Sequence, residues 1–355
     1  MIIESISLKN FRNHTYLTYD FSENINVLTG PNGAGKTNVV EAINYLSVAK
    51  SFRLNDDDGL IQKGKDKAEI YAVIKEGDLK RKIRVIITKD GRQVLINNKP
   101  VSRLSDLTKC VNIILFEPKD VLLFRGSPRA RRNFLDVSIA KKSLPYFDYI
   151  SRYDKVLKER NELLKRDKID PILLKTTTEM LVKLSGPIDS YRQMYVKDIN
   201  NILNKITRAL AGEDKKIEVI YHPFLPYTKE FEANALEAFE KAEESDIKKK
   251  ATSIGIHRED ISVNMNGRDI GEYGSQGENR LVALALKLSP YFLIEDRDKR
   301  PIVVLDDVMS ELDQAHRQKL IAFLKKFEQV FITATRLEVL GASHYQLKKK
   351  EKEVF

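Results

Sequence analysis

Gly30–Thr37 reads GPNGAGKT, and no other eight residues limit the fold as much. It fits the spacing G-x-x-x-x-G-K-[ST]. The apolar run INVL precedes it, and the helically periodic run NVVEAINYLSVA follows it. A strand, a glycine loop and a helix in that order form a cradle for a polyphosphate. Gly30, Gly33 and Gly35 let backbone N–H groups face an anion, with Asn32, Ala34 and Asn38 completing the loop and first turn. The start of the helix adds its positive end. Lys36 would reach the β- and γ-phosphates, and the Thr37 hydroxyl would hold Mg2+. A chance glycine turn is the alternative, and the strand–loop–helix context speaks against it.

A cradle that hydrolyses its ligand needs a carboxylate site. Ile302–Asp307 reads IVVLDD, an apolar strand ending in two acids. Asp306 would hold Mg2+, directly or through water, and Asp307 is placed to orient or deprotonate an attacking water. Alone, the stretch would read as an acidic turn after a buried strand. The GPNGAGKT loop on the same chain favours the catalytic reading.

Tyr273–Ser289 reads YGSQGENRLVALALKLS. Leu281, Leu284, Ala285 and Leu288 recur at helical spacing. Ser275 suits an N-cap, yet Gly274 and Gly277 sit beside it. Glycine inside a helix costs roughly 1 kcal/mol against alanine. A bare, polar helix N-terminus suits an anion. A capped core helix remains the plainer reading.

The 355 residues suggest about two domains, or one with an insertion. Lys+Arg 61 against Asp+Glu 51 gives a net charge of +10, which favours nucleic acid or another anionic partner. A single cysteine, Cys110, excludes an internal disulfide and fits a reducing compartment. Five scattered histidines show no metal-ligand spacing. No run is apolar enough to span a membrane, and the N-terminus is no signal peptide, so a cytoplasmic protein with no membrane partner is expected.

Alternation or apolar runs predict strands at IESISLKNF, INVLTG, AEIYAVIKEG, KRKIRVIITKDG, QVLINNKPV and VNIILFEPKD, with turns at Gly77-Asp78 and Asp90-Gly91. Long charged helices follow from Ser127. Strand signals return at KIEVIYHPF, ISVNMNG, PIVVLDD and QVFITAT, with a charged helix FEANALEAFEKAEESDIKKKA between the first two. The tail LKKKEKEVF is expected to fray. The expected fold is mixed α/β in two parts, 1–126 and 213–355, split by a helical insertion at 127–212.

A glycine-rich helix start just ahead of IVVLDD resembles the signature motif of ABC-type P-loop ATPases, and Ser310–Asp313 (SELD) resembles their D-loop. LKNFRNHTYL, GPNGAGKTNVVEAINYLSVAKSFR, FEPKDVLLFRGSPRARRNFLD, GIHREDISVNMNGRDIGEYGSQGENR and VLDDVMSELD together resemble the RecF family, over nearly the whole chain. That resemblance implies an SMC-like ATPase head without a long coiled coil, with 127–212 as an inserted helical arm lobe. It implies a weak, DNA-stimulated ATPase that uses ATP and Mg2+. It also implies an ATP-dependent homodimer in which Ser275 and Gly277 serve the ATP of the other copy. The implied partners are double-stranded or gapped DNA, RecR with RecO, and indirectly RecA.

Three positions depart from the family pattern: Glu278 where glutamine is usual, Ile256 where proline is common, and Glu259 where aspartate is common. Glu278 is expected to point away from the phosphate or to meet a partner. Thr333 stands where transporter heads carry a histidine and is a candidate phosphate sensor. Glu117 stands where a Q-loop glutamine would be sought, and its role is open. Candidate DNA contacts are Arg12, Arg53, Lys63, Lys65, Arg129, Arg131 and Arg132, with a salt bridge to the head as the alternative for the last two. Arg12 could touch ATP rather than DNA. His257 could meet phosphate or be a satisfied structural histidine. Two other classes, a transporter's ATPase subunit and a metabolic kinase, fit the P-loop but not the remaining blocks.

Overall fold

The computed structural model describes residues 1–101, 106–107 and 110–348. They form two compact units. The first comprises Met1–Asp120, Ala209–Gly212 and the chain from Ile294 onward; the second comprises Val121–Arg208 and Glu213–Leu293.

The first unit holds two sheets. The strands β1 (Ile2–Phe11), β2 (His14–Asp20), β4 (Lys67–Glu76), β5 (Leu79–Thr88), β6 (Gly91–Ile96) and β7 (Lys99–Pro100) form an antiparallel sheet in the order β2-β1-β4-β5-β6-β7. The strands β3 (Asn24–Thr29), β8 (Ile113–Phe116), β12 (Ile302–Leu305), β13 (Gln329–Ala334) and β14 (Ser343–Gln346) form a parallel sheet in the order β14-β3-β13-β12-β8.

Strand chemistry follows burial. β4 and β5 bury every second residue, Ala68, Ile70, Ala72 and Ile74 facing Ile83, Val85 and Ile87. In β1 the phase slips after Ile3, where a bulge shifts the register, so Ile6 and Leu8 continue the buried face. β12 and β13 are buried at every position, as parallel strands covered on both faces must be. Helix α1 (Lys36–Val48) shares one core with both sheets, which is why it is buried almost all round, the polar Glu41, Asn44 and Ser47 included.

All ten expected strands form. Two details differ. The turn expected at Asp90-Gly91 lies one residue earlier, because Thr88 pairs with Gly91 and leaves Lys89 and Asp90 as the two-residue loop. The expected fraying of the tail fails at its start: Leu347 is buried, and its N–H donates to the Thr29 carbonyl at 2.8 Å. Residues 349–355 of that tail lie outside the described residues.

The second unit contains helices α2 (Pro128–Lys142), α3 (Leu144–Leu164) and α4 (Pro171–Ala211, ending just past the unit). It also contains a sheet β11-β10-β9 of β9 (Ile217–His222), β10 (Asp260–Met265) and β11 (Arg268–Asp269), and helices α5 (Phe231–Lys249), α6 (Ile270–Tyr273) and α7 (Gln276–Phe292). The units therefore divide the chain differently from the expected lobes. The break comes at 120 rather than 126, and 213–293 groups with the helices rather than with Ile294 onward. The cause is packing: β10, expected in the head, packs on α2, and α7 packs on α2 as well. Among the described residues no helix is long and apolar enough to cross a membrane.

Candidate nucleotide site

The parallel sheet puts β13 between β3 and β12, so three strand ends converge. β3 delivers the glycine loop, β12 delivers Asp306 and Asp307, and β13 delivers Thr333. Crevices at the carboxyl ends of such strands are where open α/β sheets bind ligands.

The loop from Gly30 has the expected backbone. Gly33 and Gly35 lie at φ of +83° and +99°, conformations that turn successive N–H groups toward one side. A Cβ at Gly33 would meet nothing within 4 Å, so that side is open. A Cβ at Gly35 would come within 2.5 Å of His14 Nε2. The Lys36 ammonium donates to the carbonyls of Gly30 at 2.8 Å and Pro31 at 3.1 Å. Its third N–H is left for an anion.

Thr37 and Asp306 meet across this crevice. The Thr37 hydroxyl donates to Asp306 Oδ1 at 3.1 Å. Burial holds the Asp306 carboxyl above the usual carboxylate range, even though the hydroxyls of Thr333 and Thr37 stabilise its charged form. Among the described residues no cationic side chain contacts this buried carboxylate, and a carboxylate so placed, facing a hydroxyl and a glycine cradle, fits a hard divalent ion. The donor set is therefore right for Mg2+ and a polyphosphate. Asp307 is exposed and adopts a left-handed φ of +51°, an uncommon state for a non-glycine residue that concentrates at functional sites.

Residues outside the motif support the loop. Asn13 Nδ2 reaches the Gly33 carbonyl at 3.4 Å, and its Oδ1 accepts from Asn38 Nδ2 at 2.7 Å. Buried Glu41, one turn beyond Thr37, accepts both arms of Arg12 and the Ser51 hydroxyl. Arg53 Nη1 donates to Asn38 Oδ1 at 3.0 Å. Arg12 and Arg53, expected as DNA contacts, thus stand beside the phosphate loop. The only sequence signal for this cluster is the polar run RNH after β1.

The other candidates fall into two groups. Lys63, Lys65 and Arg129 are exposed. Arg131 pairs with Asp260 at 2.5 Å, and Arg132 donates to the Glu259 carbonyl at 2.6 Å, so both are occupied structurally. His257 lies 3.1 Å from the Thr252 carbonyl through Nε2 and 3.0 Å from Tyr153 Oη through Nδ1. Burial pushes its pKa down to about 4, which marks a neutral, half-buried histidine with both ring nitrogens engaged. Glu117 pairs with Lys119 at 2.9 Å and follows Phe116, in register with the end of β12.

In the second unit, Ser275 caps α7. Its hydroxyl accepts from the Glu278 N–H at 3.2 Å, and the Glu278 carboxylate accepts from the Ser275 N–H at 2.9 Å. Glu278, expected to point away from the phosphate or to meet a partner, closes this capping box. The bond from the Ser275 N–H is the main reason its pKa is lowered. A Cβ at Gly277 would meet nothing within 4 Å. One buried amide shapes the turn before the helix: Asn279 Nδ2 donates to the carbonyls of Ile270, Gly274 and Ser275, each at 3.0 Å.

The family model described as the RecF/RecN/SMC N terminal domain matches residues 2–353. The DNA replication and repair protein RecF of Bacillus pumilus is 33% identical over 361 residues, covering 99% of this chain and 97% of that protein. The RecF of Bacillus subtilis is 33% identical over 359 residues, covering 98% and 96%.

The chain belongs to the RecF family.

Solved structures agree. The recombination mediator protein RecF-ATP in the RecFOR pathway superposes with a TM-score of 0.89 at 29% identity, covering 97% of this chain and 95% of that one. The Smc head domain from Pyrococcus furiosus, bound to the C-terminal domain of ScpA, superposes with a TM-score of 0.58 at 17% identity, covering 94% and 89%. That likeness shows the fold alone: an ABC-type ATPase head. The RecF-type sheets and loop described above are the same architecture.

Proposed function

We propose that this chain is an ATP-dependent DNA-binding ATPase of recombinational repair, which joins a second copy when it holds ATP. The observation that carries this reading is the 3.1 Å approach of Thr37 and Asp306, which belong to separate motifs 269 residues apart. Bound Mg2+ would neutralise phosphate charge and fix the phosphates in place.

Lys36 and the N–H groups of Gly30–Asn38 bind the β- and γ-phosphates. Thr37 and Asp306 would hold the cation. Asp307 orients the attacking water and takes its proton on the carboxylate. Ser275 and Gly277 at the open start of α7 offer N–H groups to the ATP of the other copy. Slow hydrolysis then times release.

DNA, double-stranded or gapped, is gripped through phosphates by exposed lysines and arginines, Lys63, Lys65 and Arg129 among them. Such binding is independent of sequence and sensitive to salt. The net charge of +10 supports this partner. The RecFOR pathway of the solved relatives supports RecR and RecO as protein partners, with RecA loading as the outcome. The reading places the protein in the cytoplasm.

The test is solution mass by light scattering on Asp307→Asn, with and without Mg-ATP, beside the same protein carrying Ser275→Arg. ATP should double the mass of the first and leave the second unchanged. A mass that ignores ATP in both removes the trans-site mechanism.

A further inference from the structure

Thr333 is fully buried near the end of β13. Its hydroxyl makes two bonds with opposite roles. It donates to Asp306 Oδ1 at 2.6 Å and accepts from the Asp307 backbone N–H at 2.9 Å. A hydroxyl has one proton to give, and Asp306 takes it. Nothing is left on this group to donate to a phosphate. The position therefore does not act as a phosphate sensor in this chain.

The two bonds instead join two neighbouring residues of different duty. On one side, Oδ1 of Asp306 takes hydroxyls from Thr333 and Thr37, which fixes the carboxylate plane and leaves Oδ2 for a cation. On the other, the Asp307 peptide is pinned in its left-handed turn at φ +51°. That conformation is strained for a residue with a Cβ. Without an acceptor for its N–H, the turn loses the bond that offsets this strain. The side chain of Asp307 then no longer points where the turn aims it.

We propose that Thr333 is a positioning residue for ATP hydrolysis: its single hydroxyl orients the cation-binding carboxylate of Asp306 and locks the backbone turn that aims Asp307. The proposal rests on the reading of the site given above, and it deepens that reading by assigning a role at the strand between the two motifs. Thr333 touches neither substrate nor cation itself.

The test compares wild type with Thr333→Val, which keeps the shape and removes the hydroxyl, and Thr333→Ser, which keeps the hydroxyl and removes a methyl. Three quantities are read: kcat and KM for ATP, ATP affinity with and without Mg2+, and amide hydrogen exchange at Asp307. In Thr333→Val, kcat should fall about 10- to 100-fold, as for other residues that act through a ligand, with KM rising no further than the loss of Mg2+-dependent ATP affinity. Mg2+ should strengthen its ATP binding less than in wild type, while Mg2+-free binding stays the same. The Asp307 amide should exchange faster. Thr333→Ser should restore all three to within a few-fold.

A Thr333→Val protein with wild-type kcat and Mg2+ dependence overturns the proposal and leaves the ATPase reading standing. A wild-type protein that neither binds nor hydrolyses ATP overturns both. If Thr333→Val does not fold, Thr333→Ser still decides, because a serine variant with under about a tenth of wild-type kcat means the hydroxyl is not the working part.

Discussion

Arg12 grips Glu41 with two nitrogens, Nε to Oε2 at 2.8 Å and Nη2 to Oε1 at 2.6 Å, and the Glu41 side chain is wholly buried. Glu41 sits on the helix that the phosphate loop opens, so this fork ties β1 to the base of the site. Arg12→Ala leaves the buried Glu41 carboxylate with only Arg53 at 3.7 Å and the Ser51 hydroxyl, a change that costs about 2 to 3 kcal/mol. Urea denaturation should show that loss, with ATP affinity falling in parallel. Arg12→Lys should recover little, because an ammonium cannot make the fork. If Arg12→Ala keeps full stability and loses only DNA binding, its pairing with Glu41 is incidental.

Glu278 closes the capping box on Ser275 at the helix start proposed to face a second copy's ATP. Glutamine can close the same box without a charge. Glu278→Gln should therefore melt at nearly the wild-type temperature yet dimerise at lower ATP concentration, because an acid near a phosphate is gone. Sedimentation against ATP concentration measures it. Equal or weaker dimerisation would place Glu278 away from the phosphate.

His257 gives stability a pH dependence with a definite sign. In the unfolded chain an imidazole takes a proton below about 6.5, whereas burial here lowers the pKa to about 4. Between those values the unfolded state binds more protons, so stability is full above about pH 6.5 and falls as pH drops toward 4, by at most ~3 kcal/mol from this group. His257→Gln should flatten that part of the curve. Urea midpoints at pH 7 and pH 5 for both proteins check it, and equal slopes would refute it.

Lys63 and Lys65 are exposed on the loop leading into β4. Replacing both with glutamate should weaken DNA binding and lower the slope of log affinity against log salt by about 1 to 2. Basal ATP hydrolysis should stay unchanged. Fluorescence anisotropy at several salt concentrations distinguishes this from an unaffected slope, which would move the DNA contact elsewhere.

The sheet strands and the nucleotide loop are legible in the sequence because each carries its reason locally. β12 and β13 are continuous apolar runs, β4 and β5 alternate, and GPNGAGKT needs its glycines at fixed offsets. The contacts that finish the site carry no such spacing. Arg12 finds Glu41 across 29 residues, and Thr333 finds Asp306 across 27. Arg192 lies buried between Asp136 and Glu259, joined by Tyr146 and Tyr221, and stitches α2, α4 and β9 to the loop before β10. In sequence those charges look like ordinary solvated helix faces. The boundary between the units is hidden for a similar reason: it follows which faces pack, and β10 reads the same whether it joins one unit or the other. β2 and β14 are strands without a strong apolar signal, since each exposes much of its length at a sheet edge.

The placement of β13 between β3 and β12 has a consequence for biosynthesis. The two strands that bear the motifs are not neighbours in the sheet; Gln329–Ala334 lies between them. A nascent chain leaving the ribosome therefore carries its phosphate loop for some three hundred residues before the strand that seats Asp306 beside Thr37 emerges. Until then Thr37 lacks its carboxylate partner, and any fragment truncated before Ile302 would be unable to close the site.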